Sequence, residues 1–405
     1  MGDRGRLRRI SCAKGFRAMK VCLDLRTASN PMHGIARYGL ELVRALLNLA
    51  EGPQLSVLVD KADAKDYGRD GRNPPEVIRT SVPPYSLLEQ IWIRRILLRH
   101  KPDLYHCVTY ACPVFPGRPF LFTIHDLLPL TRKTEFALAK RLYFQSCVRW
   151  AVHRSGCVLV VSRHTGYQVS SWLPRAADKV RVTPLGGDHI QKITAAREDR
   201  KWFSRINPEK KPFFLTVANP RRHKNIRFAL ERFLCLSRSK QLDGLYILVG
   251  VPPGVFGPAL GRERNRRLVK CLPAVSDGLL RLLYENALAL LYPCMGEGFG
   301  LPVVEAMQFG LPVLAVEDGA VPEVLGDAGV LVQSLDPDLW ERRMWDLWLK
   351  RMRGGWNRAR VLERARLFRW DHTARVTYAA YEELSGRRSL VGPSSPFVGK
   401  GAESC

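Results

Sequence analysis

The sequence has no long apolar run. No stretch of 18 or more consecutive apolar residues occurs, so no membrane-spanning helix is predicted. The first nine residues are charged but are not followed by an apolar segment, which argues against a secretory signal. None of the 10 cysteines forms a C-x-x-C pair, and no pair of histidines lies near them at zinc spacing. We therefore expect a cytoplasmic chain with reduced, mostly buried thiols and no bound metal.

Acidic residues are also scarce. The chain has 38 Asp and Glu against 64 Lys and Arg, which gives a formal net charge of +26. Such a charge attracts polyanions, including nucleic acid, anionic lipid and phosphorylated substrates, although a solvated Arg-rich surface explains it equally well. A basic nucleic-acid-binding protein is therefore one alternative, but the sequence has no zinc finger, ribonucleoprotein motif or aromatic–basic interleaving.

Short apolar strands alternate with helical stretches along most of the 405 residues. This alternation predicts parallel β-α-β winding in two α/β halves. Strands are predicted at 20–26, 55–59, 104–107, 120–124, 158–162 and 180–184, and then at 213–218, 245–250, 287–292 and 313–316. Helices are predicted at 35–49, 87–100, 136–153, 224–236, 277–286 and 302–309, with one long helix at 339–384. The polar stretch 190–211 is the best linker candidate.

Five segments follow from this pattern. Residues 1–18 are predicted to be a basic, disordered leader, and residues 387–405 a frayed tail. The first α/β domain is placed at 19–195 and the second at 196–370. A C-terminal helix at 371–386 is expected to pack against the first domain.

The run Pro293-Cys-Met-Gly-Glu-Gly-Phe-Gly-Leu-Pro-Val-Val-Glu-Ala-Met-Gln-Phe-Gly310 contains the most informative motif. Its alternating glycines permit close backbone approaches, Pro302 suits the first turn of a helix, and Gly310 suits its end. A helix that begins after a glycine loop at the end of a parallel strand favours an anion such as a diphosphate. Two carboxylates, Glu297 and Glu305, frame this loop and suit vicinal hydroxyls of a sugar and a ribose. The alternative is that Glu297 is a solvated turn residue and Glu305 a solvated helix residue.

This acid motif and the segments around it resemble the donor site of retaining glycosyltransferases of family 4, which have the GT-B fold. The resemblance extends over most of residues 19–385. The further segments are Asp24-Leu-Arg26 with Gly34-Ile-Ala-Arg-Tyr38, Ile124-His-Asp-Leu127 with Val160-Val-Ser162, Val217-Ala-Asn-Pro-Arg-Arg-His-Lys-Asn225, and Gly319-Ala-Val-Pro-Glu-Val324 with Asp327-Ala328. The resemblance implies an acceptor domain and a nucleotide-sugar domain, both Rossmann-like, whose parallel sheets face each other across a cleft.

The resemblance also implies a role for each motif residue. Arg222 and Lys224 would clamp the donor diphosphate and stabilise charge on the leaving group. Glu297 would contact the donor-sugar hydroxyls and Glu305 the ribose hydroxyls, while His125 would lie over the sugar. Glu297, Lys224, Arg222 and His125 are thus the predicted catalytic residues. The other predicted donor-binding residues are Gly34, Asn219, Gly298, Phe299, Gly300 and Leu301.

Several of these residues have a structural alternative. Arg221 and Arg222 are also typical of a solvated turn, and His125 of a strand end in the core. The side chain of Asp126 is expected to cap the next helix. His106 is expected in the core rather than in the acceptor cleft.

Two departures from the family pattern affect the predicted phosphate loops. Cys294 stands where the family usually has a serine, and a thiol is a weaker hydrogen-bond partner. In the first glycine loop, Ala36-Arg37 replaces a second glycine, which makes the fit of this loop to phosphate less certain.

The implied reaction is the transfer of a hexosyl group to a hydroxyl of a glycan or lipid-linked glycan, with retention, in polysaccharide or lipopolysaccharide biosynthesis. No nucleophile besides Glu297 is apparent, so a route in which the leaving phosphate helps to deprotonate the acceptor is favoured over double displacement. Cationic side chains would stabilise the charge on the leaving diphosphate, so no metal or other cofactor is expected. The motifs resemble those of mannosyltransferases, which points to GDP-mannose, with UDP-sugars next. Alternatives on the same fold are an epimerase-like enzyme and a non-catalytic protein.

The predicted helix at 87–100 mixes apolar and basic residues. They are Trp92, Ile96 and Leu97 with Arg94, Arg95 and Arg99. Such a helix could lie on an anionic membrane and make the protein peripheral on the inner face. The alternative is an ordinary helix that packs on the sheet and exposes a solvated basic face.

Overall fold

The computed structural model describes residues 18–28, 34–63, 67, 73–261 and 263–386. The predicted leader, apart from Ala18, and the predicted tail lie outside the described residues. Among those residues, no helix combines the length and the apolar character needed to cross a membrane.

Two parallel sheets organise the described part of the chain. The first has the strand order β3-β2-β1-β4-β5-β6-β7 and the second the order β10-β9-β8-β11-β12-β13. The strands of the first sheet are β1 Lys20–Asp24, β2 Gln54–Asp60, β3 Glu76–Thr80, β4 Leu104–Cys107, β5 Phe120–Ile124, β6 Cys157–Val160 and β7 Val180–Val182. Those of the second sheet are β8 Phe213–Val217, β9 Leu245–Val249, β10 Val269–Leu272, β11 Ala289–Tyr292, β12 Val313–Val316 and β13 Val330–Val332.

Helices connect the strands and cover the sheets. In the first half they are α1 Gly34–Leu47, α2 Leu87–His100, α3 Leu128–Thr131, α4 Leu138–Tyr143, α5 Arg149–Arg154 and α6 Arg163–Trp172. Next come α7 His189–Lys192, α8 Arg197–Ile206, α9 Ile226–Ser239, α10 Gly257–Leu260, α11 Glu263–Leu268, α12 Asp277–Asn286, α13 Leu301–Met307 and α14 Val321–Leu325. The chain then forms α15 Pro337–Met352, α16 Arg358–Ala365 and α17 Trp370–Leu384.

The central strands are fully buried. β4, β5, β6, β9, β11 and β12 consist entirely of buried residues. Near-continuous apolar strands are expected when helices cover both faces of a parallel sheet. Serine caps begin three of the covering helices: the hydroxyls of Ser86, Ser162 and Ser276 accept hydrogen bonds from amides in the first turns of α2, α6 and α12.

In each sheet the strand order reverses beside the first strand. The reversal lies between β1 and β4 in the first sheet and between β8 and β11 in the second. Loops at the carboxyl ends of strands on the two sides of such a reversal diverge and leave a crevice for a ligand. The segments after β8 and β11 are the two donor-site segments that the sequence predicts, so the fold brings them together.

The C-terminal helix α17 returns to the first sheet. It packs against α1, and Tyr381 Oη lies 2.6 Å from His106 Nδ1 while Thr123 Oγ1 lies 2.9 Å from His106 Nε2. Burial lowers the pKa of His106 to about 3. The prediction that His106 is a core residue is confirmed. The domain limits drawn from the sequence stay a prediction.

The structure differs from the predicted elements in several ways, and helices α3, α6, α10, α11 and α14 are among the additional elements. Strands β3, β10 and β13 are additional. The stretch 190–211 is not an extended linker, because α7 and α8 occupy most of it and Phe203 of α8 packs against Phe213. The helix predicted at 339–384 is three helices, since the chain turns at Gly354 (φ 72°) and Asn357 caps a new helix.

Candidate active site

A cleft of about 560 Å³ lies between the carboxyl ends of the two sheets. Its first wall includes Gly34, Arg37, His125 and Asp126, which follow strands of the first sheet. Its second wall comes from the loops after β8 and β11 and from the start of α13. The residues of this wall that the sequence predicts as donor-binding or catalytic are Asn219, Lys224, Glu297, Gly298, Phe299, Gly300, Leu301 and Glu305.

Lys224 and Glu297 form an ion pair inside the cleft. Lys224 Nζ lies 2.5 Å from Glu297 Oε1, and both side chains are largely buried. Burial disfavours the charge on Lys224, but the charge and hydrogen bond of Glu297, together with Cys294 and Asp126, outweigh this and raise the pKa of Lys224. The ammonium group is therefore charged and lies where an anionic ligand can reach it.

The structure places Arg221, and not the predicted Arg222, along the cleft. Residues Arg222–Lys224 form a single 3-10 turn. Both arginines are exposed, but Arg221, just before the turn, is among the side chains that line the cleft and Arg222 is not. Arg221 is therefore a further candidate cation beside Lys224, and the catalytic role of Arg222 stays a prediction.

Glu305 lies on α13 and is 5% exposed, with its surface on the cleft. Tyr284 Oη donates a hydrogen bond to Glu305 Oε2 at 2.8 Å. His189 Nε2 lies 3.2 Å from the other carboxylate oxygen, Oε1. Glu305 is thus a buried acid with fixed neighbours rather than a solvated helix residue.

The glycine loop 296–300 fits tightly against its surroundings. Gly296 (φ 76°) and Gly300 (φ 94°) adopt left-handed conformations, and Gly300 directly precedes α13. A Cβ on Gly298 would lie 1.6 Å from the carbonyl oxygen of His125, across the cleft. Only glycine permits these conformations and this approach without strain. Phe299 within the loop and Leu301 directly after it are buried.

His125 and Asp126 form part of the opposite wall. His125 Nε2 lies 2.9 Å from the carbonyl oxygen of Val108 and donates to it, and burial lowers the pKa of His125 to about 4. The ring is therefore neutral at physiological pH. Asp126 Oδ1 accepts the amide of Leu128, the first residue of α3, at 3.0 Å, although the N-cap position is Leu127 and makes no side-chain cap. Burial and the charge of Glu297 also raise the pKa of Asp126.

The two residues that depart from the family pattern have different surroundings. Arg37 forms a bidentate ion pair with Asp277 at the start of α12, so it links the two domains at the edge of the cleft. Cys294 is fully buried behind Glu297, and burial raises its pKa to about 12, which keeps the thiol neutral.

Three further contacts between the domains were not predicted from the sequence. His223 Nδ1 lies 2.7 Å from Glu135 Oε2. The carboxylate of Glu323 accepts the backbone amides of Arg163 and His164 at 3.0 and 3.2 Å, so it caps helix α6 from the other domain. These contacts join the walls of the cleft.

No group of three or more His, Cys, Asp or Glu side chains that could hold a metal ion occurs in the described ranges. Lys224 and Arg221 are cationic groups on the same side of the cleft as Glu297 and Glu305, and Arg37 and Asp126 add charges from the other wall. Asn219 adds a polar group, since its buried Oδ1 has no hydrogen-bond partner among the described residues. Cations beside carboxylates, at a reversal of strand order, suit a ligand that combines phosphates with sugar hydroxyls.

The fold and this cleft define the protein as a glycosyltransferase of the GT-B class. Residues 32–189 match the family described as Glycosyltransferase Family 4, and residues 198–353 match Glycosyl transferases group 1. The chain belongs to glycosyltransferase family 4, and it is a transferase enzyme.

Similar proteins span nearly the whole chain. An O-antigen chain mannosyltransferase B from Escherichia coli is 26% identical and covers 90% of this chain and 100% of its own length. The O-antigen chain mannosyltransferase RfbU of Salmonella typhimurium is 24% identical and covers 76% of this chain and 85% of its own length. A sucrose-phosphate synthase structure from Thermosynechococcus elongatus superposes with a TM-score of 0.71 at 19% identity, covering 91% of this chain and 99% of its own.

Proposed function

We propose that this protein transfers a mannosyl group from GDP-mannose to a hydroxyl of a glycan or lipid-linked glycan, with retention of the anomeric configuration. The main support is the cleft that places Lys224, Glu297 and Glu305 opposite His125. The resemblance to mannosyltransferases of O-antigen assembly supports the choice of sugar. The place of action would be polysaccharide or lipopolysaccharide biosynthesis.

The diphosphate would replace Glu297 as the partner of Lys224. In the described structure Lys224 holds Glu297 at 2.5 Å, and a phosphate oxygen is a stronger and more highly charged acceptor. Arg221 and the amides that precede α13 would contact the same diphosphate. Glu297 would then be released to accept hydrogen bonds from the sugar hydroxyls. This arrangement stabilises the leaving group through fixed cations, so the proposed reaction requires no metal.

Retention would follow a front-face route. A double displacement needs a carboxylate positioned as a nucleophile on the far side of the sugar. Glu297 is instead paired with Lys224 on the leaving-group side, and Asp126 is held by the amide of Leu128. The acceptor hydroxyl would attack from the face that the phosphate leaves, and its proton would pass to that phosphate. Neutral His125 would line the sugar pocket.

A donor screen tests the proposed substrate. At saturating concentration, we expect GDP-mannose to raise the thermal midpoint by about 5 °C, because a ligand at 100 times its Kd stabilises the folded state by about 2.7 kcal/mol. GDP-glucose and UDP-glucose serve as the sugar and base controls and should give smaller shifts. A larger shift with UDP-glucose would contradict the proposed donor, and no shift with any nucleotide-sugar would contradict the class of substrate.

The proposed lipid-linked acceptor requires access to a membrane, and one face of the first domain suits a bilayer. Helix α2 buries Ile93 and Leu97 but exposes Leu88, Ile91, Trp92 and Leu98 along its outer side. These positions recur at helical spacing, so they form one stripe. In the absence of a partner, a solvated helix would expose polar residues there.

This stripe continues onto α5 and carries positive charge. Segment 114–117 packs between the two helices: Gln90 binds the amide of Val114, and the rings of Phe115 and Trp150 are 4.4 Å apart. The guanidinium of Arg154 lies 4.9 Å from the centres of both rings. Residues 90–101 and 136–154 contain no Asp or Glu. We call this the aromatic–arginine face, and we propose that it binds anionic lipid.

Vesicle flotation tests this proposal. The wild-type protein should float with phosphatidylglycerol-containing vesicles at low salt and less at high salt. The pair Trp92→Ser and Trp150→Ser should weaken binding by about tenfold or more, because two large apolar side chains no longer enter the interface. Trp202→Ser is the matched control, since Trp202 on α8 is 55% exposed, at least as much as Trp92 and Trp150. Equal losses in control and test variants, or no flotation of wild type, would contradict the proposal.

A further inference from the structure

The carboxylate of Glu305 is contacted from behind by two buried side chains. Tyr284 donates to Oε2 at 2.8 Å, and His189 Nε2 lies 3.2 Å from Oε1. Glu305 and His189 are 5% and 4% exposed, respectively. A carboxylate offers about four lone-pair positions. Tyr284 occupies one of these positions, and Glu305 also lines the cleft, so positions remain for a ligand.

The hydrogen bond from Trp370 sets the protonation of His189. Trp370 Nε1 lies 3.0 Å from His189 Nδ1, and an indole nitrogen can only donate. Nδ1 must therefore accept, which leaves the ring neutral with its proton on Nε2, the atom nearest Glu305. Within the described residues, this buried Nε2 has no partner in hydrogen-bond geometry. A buried donor of this kind is costly unless a ligand-bound state satisfies it.

His189 and Trp370 lie where the chain crosses between the domains. The backbone amide of Trp370 donates to Asp188 Oδ1 at 2.9 Å, and the amide of Gly187 donates to the carbonyl oxygen of Phe368 at 3.1 Å. Gly187 also packs directly on α13, since a Cβ there would lie 2.5 Å from Val304. The segment that leaves the first domain at Gly187 and the segment that returns to it at Trp370 are thus joined to each other and to α13, the helix that carries Glu305.

We propose that His189 is a positioning residue for nucleotide binding, held in the required tautomer by Trp370. This proposal rests on the proposed function, in which Glu305 accepts hydrogen bonds from the two ribose hydroxyls. A small rotation of the carboxylate toward the ribose brings Oε1 into line with His189 Nε2–H. His189 then holds Oε1 while its other lone pair accepts a ribose hydroxyl. The contribution of the ribose hydroxyls to affinity therefore depends on a residue that does not touch the nucleotide.

Calorimetric binding of GDP and 2′,3′-dideoxy-GDP to the whole protein tests this dependence. Because hydrogen bonds to a charged group are the strong ones, wild type should bind GDP at least about tenfold more tightly than the dideoxy form. In His189→Phe, which keeps a ring but removes both nitrogens, this ratio should fall by about fivefold. His189→Gln, which retains a donor and an acceptor, should restore much of it. Trp370→Phe should also lower the ratio, because the tautomer is no longer fixed.

The results distinguish a failure of the proposed role of Glu305 from a failure of the proposed role of His189. If wild type binds both nucleotides equally, Glu305 does not hold the ribose and this part of the proposed function fails. If wild type discriminates and His189→Phe keeps the same ratio, even with weaker overall binding, only the role of His189 is overturned. A variant that merely disturbed packing would weaken both nucleotides alike. If His189→Phe does not fold, Trp370→Phe decides with the same two outcomes.

Discussion

Replacing Lys224 with alanine should lower the turnover of GDP-mannose by about 10²- to 10³-fold. This is the usual cost of removing one fixed group that stabilises charge in a transition state. Lys224 is a largely buried cation of the cleft that pairs with Glu297, and Glu297 raises its pKa against the effect of burial. The measurement is the rate at which purified enzyme releases GDP from GDP-mannose, together with the thermal midpoint of the variant.

Lys201→Ala is the matched control for this prediction. Lys201 is an exposed lysine of α8 that pairs only with nearby Glu198 among the described residues. Such surface ion pairs contribute little to the stability of the fold. Replacing Lys201 should leave turnover within about twofold of wild type. A folded Lys224→Ala enzyme with unchanged turnover would refute the assignment of Lys224 to the diphosphate.

The variant Glu297→Gln should lose about 10²-fold in turnover, and the loss should grow as the pH rises. The amide keeps the size of the side chain but weakens its hydrogen bonds to sugar hydroxyls. It also removes the charge that raises the pKa of Lys224 against the effect of burial. That pKa should then fall, so a larger fraction of Lys224 is deprotonated at alkaline pH.

The pH–rate profiles of wild type and Glu297→Gln test both parts of this prediction. The alkaline limb of the variant should lie at lower pH than that of wild type. Glu209→Gln is the control, because Glu209 is an exposed acid that pairs with Lys211 at the surface. Parallel pH–rate profiles would show that Glu297 does not set the charge of Lys224. A turnover of Glu297→Gln equal to that of wild type would show that Glu297 has no role in the reaction.

The central strands of both sheets were predictable, whereas three of the four edge strands, β3, β10 and β13, were not. β4, β5, β9 and β11 are short apolar runs because they are buried on both faces, and this leaves a clear signal in the sequence. The edge strands β3 (Glu-Val-Ile-Arg-Thr) and β10 (Val-Lys-Cys-Leu) contain charged residues because one side meets solvent. Their pairing with β2 and β9, rather than their own composition, makes them strands.

The acids of the candidate site were predictable because loop, helix and strand signals coincide within residues 293–310. Which of the two adjacent arginines lines the cleft was not predictable, since this depends on how a single turn directs Arg221 and Arg222. His189 and Glu323 gave no local signal. Their partners are far along the chain: Trp370 lies 181 positions from His189, and Arg163 lies 160 positions from Glu323. Such contacts exist only once both domains and the crossing segments are assembled.

A crystal structure of the protein with GDP bound tests the central claim most directly. We predict that the diphosphate lies between Lys224, Arg221 and the start of α13, and that the ribose hydroxyls lie within hydrogen-bond distance of Glu305. The Lys224–Glu297 contact should be broken. A nucleotide bound elsewhere, with Lys224 still paired to Glu297 and the cleft occupied only by solvent, would contradict the account.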